Sequence, residues 1–176
     1  MRTLIASVEG EYRRYKNLAE GAIGQVADAA LGDARDSDNS IAAIVWHLSG
    51  NLRSRFTDFL TSDGEKPWRD RESEFLARRV TRVELLAKWE EGWRVLFAAL
   101  AGLTDADLDR TVTIRSQPLT VTEALHRSLA HTSYLVGQIV YVAKALRGAD
   151  WQSLSIPRGQ SARYNQAPGS ERAPRA

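Results

Sequence analysis

The sequence predicts an all-α protein: a four-helix bundle with long interhelical connections and an irregular C-terminal tail. Three observations carry that reading. Four long segments repeat apolar side chains at steps of three and four, the spacing that lays them along one helical face. Polar, glycine-bearing stretches separate these segments where helix ends belong. The only alternating run, Thr111-Val112-Thr113-Ile114 followed after a turn by Leu119-Thr120-Val121, makes at most a small hairpin, too short to found a sheet.

The first helix carries Leu4, Val8, Tyr12, Tyr15, Ala19, Ala22, Ile23 and Val26, and it stops at the polar stretch from Gly32 to Ser40. The second runs from about Ile41 to Leu60 on the stripe Ile41, Ile44, Val45, Leu48, Leu52, Phe56 and Phe59. Residues 63–80 hold Gly64, Pro67 and dense charge, and read as a long connection. The third helix opens with the capping box Thr81-Arg82-Val83-Glu84, in which hydroxyl and carboxylate satisfy backbone N–H groups the helix leaves unpaired. Its stripe is Val83, Leu86, Trp89, Trp93, Leu96, Phe97 and Leu100. A second capping box, Thr120-Val121-Thr122-Glu123, starts the fourth helix, which carries Val121, Leu125, Leu129, Thr132, Val136, Ile139, Ala143 and Leu146 up to Gly148. Residues 1–148 thus form the bundle domain, and 149–176 form a basic, partly flexible tail whose last ten residues are expected to be mobile.

Composition removes several function classes. The 176 residues include no cysteine, which excludes disulfides, thiolate metal sites and a cysteine nucleophile. Only His47, His126 and His131 supply imidazole. No apolar run reaches membrane-spanning length, and charged residues interrupt the N-terminal segment too early for a signal-peptide core, so a cytoplasmic, membrane-free protein is expected. Its pI of about 9.1 suggests nucleic acid until the charge is divided along the chain. From Arg147 onward five arginines face Asp150 and Glu171, a net +3 that leaves −1 of the total +2 for the rest. A basic tail on a near-neutral body is no cationic groove, and no nucleic-acid partner is expected.

On the second helix His47, Asn51, Arg55 and Asp58 form a polar ladder beside the apolar stripe. On the fourth, His131 and Gln138 share a flank, with Leu135 between them. His126 lies five residues from His131, roughly 140° away around the helix, where the two rings cannot share a metal. A site joining His47 to His131 across the bundle interior stays open. There is no Gly-x-Ser-x-Gly elbow, phosphate loop or His-Glu-x-x-His helix.

The stretch from Gly50 to Arg69, the run from Arg127 to Tyr141 and the tail Ser153-Leu154-Ser155-Ile156-Pro157-Arg158-Gly159-Gln160-Ser161 resemble the DinB/YfiT-like superfamily, in an uncharacterised branch. The resemblance spans nearly the whole chain. It implies a four-helix bundle, a homodimer, and a divalent metal such as nickel or zinc held by three histidines. Characterised relatives act as thiol-dependent transferases or isomerases using low-molecular-weight thiols, or as metal-dependent hydrolases. By position, His47 matches the first ligand and His131 the second. The third ligand position is occupied by Leu135, which has no lone pair to give a metal.

Two functions follow from this resemblance. In one, the three-histidine site is degenerate, any divalent metal is weakly bound, and the pocket around Asn51, Arg55, Leu135 and Gln138 takes a small molecule without strong metal-dependent catalysis. In the other, His47, His131 and water hold the metal of a thiol S-transferase or hydrolase acting on a small electrophile, with Arg55 or Arg158 steadying an anionic substrate.

Overall fold

A computed structural model describes residues 2–34 and 39–169. Four long helices are present: α1 (Thr3–Ile23), α2 (Ile41–Phe56), α3 (Arg82–Ala101) and α4 (Val121–Arg147). A hairpin of β1 (Thr111–Ile114) and β2 (Gln117–Thr120) precedes α4, and a short helix α5 (Ser161–Gln166) follows it. The described residues are all-α apart from this two-stranded ribbon. No helix among the described residues is long and apolar enough to cross a membrane.

Both capping boxes form. Thr81 Oγ1 accepts from Glu84 N at 3.2 Å while Glu84 Oε2 accepts from Thr81 N at 2.8 Å. Thr120 and Glu123 repeat the arrangement at 3.1 and 2.7 Å. Helix α2 starts on Ser40, whose Oγ accepts from Ala43 N at 3.1 Å. It ends at Phe56, earlier than periodicity predicts, because Thr57 turns extended and Asp58 takes a positive φ of 49°. That turn folds Phe59 back against Phe56, with ring centroids 5.1 Å apart.

Helix α2 packs mainly on α3, and α1 on α4; α2 also meets α4, and α1 meets α3. The four helices close around one core in which Tyr12, Trp89, Trp93, Leu48, Leu52, Leu85 and Leu96 are buried. Leucine side chains buried in this way each contribute about 1.5–3 kcal/mol through area removed from water. Helices α2 and α3 approach closely at Gly92, where an added Cβ would sit 2.8 Å from Ser49 Cα. Val83 departs from its predicted place: it is exposed, and Leu85 is buried instead. The stripe 85, 89, 93, 96, 100 faces the core, and residue 83 lies about 200° from residue 85.

The hairpin turns on Arg115 and Ser116, both at positive φ (54° and 61°), the conformation of a two-residue turn whose twist matches its strands. Asp63 holds that turn to the connection after α2: its carboxylate accepts from Arg115 N and Ser116 N, both at 2.8 Å, and from Glu65 N at 2.7 Å. The connection over residues 63–80 contains a 3₁₀ turn, Glu72–Phe75. The tail is less irregular than composition suggests, since α5 is helical and Gln152 exchanges two hydrogen bonds with Gln25 in the turn after α1, at 2.7 and 3.0 Å. Two loop and tail expectations fall partly outside the described residues, at 35–38 within the linker before α2 and at 170–176 within the C-terminal ten.

Candidate functional site

Residues one turn apart on a helix share a face, so His47, Asn51 and Arg55 on α2 present one row, and Ala124, Arg127, Ser128 and His131 on α4 another. These rows line a cavity of about 370 Å³. Phe56, Phe59 and Ile114 supply apolar wall, while Arg69 and Arg71 from the connection and Arg115 from the hairpin complete it. The rings of His47 and His131 meet edge to face, centroids 5.4 Å apart.

Behind His47 lies a buried ion cluster. Glu74 Oε2 accepts from His47 Nδ1 at 2.9 Å. Arg69 grips the same carboxylate with two parallel bonds, Nε to Oε1 and Nη2 to Oε2, both 2.8 Å. Glu74 and Arg69 side chains are only 8% and 2% exposed. Burial raises the Glu74 carboxyl, but the His47 and Arg69 hydrogen bonds and charges outweigh it and leave the group below its ordinary value. An ionised Glu74 makes Nδ1 the donor, which leaves His47 Nε2 as the free ring nitrogen. Glu74 reaches this depth because residue 50 is glycine: a Cβ there would collide with Glu74 Oε1.

A family model described as "Protein of unknown function (DUF1572)" matches residues 1–160. The chain belongs to this family. No curated protein and no solved structure matches it.

In this DUF1572 chain the other expected site residues divide. Asn51 and Arg55 line the cavity, and Arg55 is tied to Glu65 at 3.2 Å. Leu135 is buried in the hydrophobic core and Gln138 is half-buried, and neither lines the cavity. His126 is exposed, as its angle on α4 predicts, and Arg158 is exposed away from the site.

The donors do not fit a divalent metal. No group of three His, Asp or Glu side chains among the described residues is arranged to hold one. Glu74, the carboxylate nearest the two rings, is committed to Arg69 and His47, and Leu135 lies in the core with no donor atom. The His131 ring is pushed down from 6.5 to about 4, first by burial and then by His47, Arg55, Arg69 and Arg127, and is held neutral.

Sequence reasoning missed Glu74 and Arg69, which the charge run from Trp68 to Glu74 disguises as solvated surface. The one local signal is Gly50, a helix-weakening residue in the middle of an otherwise regular apolar stripe.

Proposed function

We propose that this protein is a DinB/YfiT-like bundle whose cavity binds a small molecule, with an incomplete three-histidine site and no strong metal-dependent catalysis. One observation carries the reading. His47 and His131 face a cavity of about 370 Å³, in the size range of small-molecule sites, while the position of the third donor carries a leucine in the core. The mixture of aromatic wall with convergent polar groups is what such sites need: the apolar part supplies affinity and the polar part fixes orientation.

Elemental analysis of purified protein together with a thermal-shift screen of small compounds tests this. The expected result is nickel and zinc well below one equivalent and at least one compound that stabilises wild type but not His131→Ala. Near-stoichiometric nickel or zinc overturns the reading in favour of the metal-dependent thiol transferase or hydrolase.

A further inference from the structure

The cavity wall has an unusual charge balance. Arg55, Arg69, Arg71, Arg115 and Arg127 line it, and no carboxylate among the described residues does. Three glutamates that do not line the cavity engage four of these guanidiniums: Glu74 holds Arg69, Glu65 holds Arg55 and Arg115, and the exposed Glu72 holds Arg71. Arg127 has no carboxylate partner among the described residues. Positive charge therefore exceeds negative around a partly enclosed, low-dielectric space.

Arg69 adds an independent observation. The fork of its guanidinium gives Nε and Nη2 to Glu74, which turns Nη1 away from that carboxylate. Nη1 is buried and has no hydrogen-bond partner among the described residues. A buried charged donor left without an acceptor is costly, and such groups in folded proteins call for an explanation. Phe56, Phe59 and Ile114 line the same cavity, and they offer nothing to a bare inorganic ion but pack well against carbon.

Resting on the reading of the cavity as a small-molecule site, we propose that its ligand is a small organic anion, an apolar body carrying one carboxylate or phosphate, with the oxyanion on Arg69 and Arg127 and the body against Phe56, Phe59 and Ile114. An oxyanion there supplies a counter-charge for Arg127 and for the positive excess of the wall.

Calorimetric titration of the full-length protein with benzoate, phenyl phosphate and the neutral isostere benzamide tests the ligand class. Either anion is expected to bind about tenfold or more tighter than benzamide, the scale of one charged hydrogen bond. Arg127→Gln, a change at an exposed side chain that leaves the buried cluster alone, should abolish that preference, and Arg127→Lys should keep part of it. Benzamide binding as tightly as benzoate and phenyl phosphate, or an anion preference that survives Arg127→Gln, overturns the proposal. If the compound screen yields a neutral ligand while neither anion binds, the anion class falls and the small-molecule reading stands; if nothing in the screen binds, both fall.

Discussion

Glu74 Oε2 lies 2.9 Å from His47 Nδ1, so a carboxylate from the irregular connection before α3 sets the tautomer and orientation of a ring on α2. The same carboxylate neutralises Arg69, whose side chain is 2% exposed. Removing Glu74 leaves a buried guanidinium without its counter-ion, a change that costs about 3–5 kcal/mol in comparable buried pairs. Glu74→Ala should therefore lower the urea midpoint sharply. The double variant Glu74→Leu/Arg69→Met should recover much of that loss, because no unpaired charge remains. A double variant as unstable as the single one contradicts this account.

Glycine-to-alanine changes within α2 and α3 test the close approaches. Helix propensity alone predicts stabilisation by about 1 kcal/mol from Gly50→Ala or Gly92→Ala. Collision with Glu74 Oε1 in the first case and with Ser49 Cα in the second predicts the opposite sign, a loss of about 1–3 kcal/mol from overpacking. Equilibrium unfolding of the two variants separates the alternatives by sign.

The His131 ring makes stability depend on pH in a defined window. Its value is 6.5 ordinarily and about 4 in the folded protein, so between these limits the unfolded chain binds more protons and stability rises with pH. The contribution is complete above about 6.5 and is lost progressively as pH falls towards about 4. Replacing His131 with Gln should flatten the unfolding free energy across that interval; an unchanged slope would falsify the assignment.

Asp63 acts at lower pH. Backbone N–H donors of Glu65, Ser116 and Arg115 hold its carboxyl well below the usual range. A depressed carboxylate contributes stability above its ordinary value of about 3.9 and loses it as pH falls below that value. Amide exchange of Arg115 and Ser116 should accelerate as the pH drops through this range, after correction for intrinsic rates. Asp63→Ala should show fast exchange at neutral pH, with α1 to α4 intact.

The capping boxes give smaller, local effects. Thr81→Ala and Thr120→Ala should each cost about 1 kcal/mol by removing the acceptor for the N3 amide. Thr120 also pairs with Thr111 across the hairpin, so its variant should additionally loosen β2, visible as faster exchange there.

Much of the fold is legible in the chain because its cues are local. Thr81 with Glu84, and Thr120 with Glu123, mark two helix starts within four residues each. The stripe through Trp89, Trp93, Leu96 and Leu100 marks a buried face by spacing alone. Where a cue depends on what lies across the bundle, local reading falters. Val83 fits a three-and-four pattern yet faces outward, and the periodicity running to Leu60 does not register the turn at Asp58 that returns Phe59 to Phe56.

By itself the sequence determined the helical periods, both capping boxes, the exclusion of His126 from the site and the leucine at position 135. These follow from covalent spacing and from the geometry of a single helix. Only the tertiary structure decided that Arg69 and Glu74 are buried, that Glu74 orients His47, and that Arg127 and Arg115 converge on one cavity from α4 and the hairpin. A charged residue's burial depends on partners far along the chain. His47 and Glu74 are 27 positions apart, a separation bridged by the collapse of the connection onto the space left by Gly50.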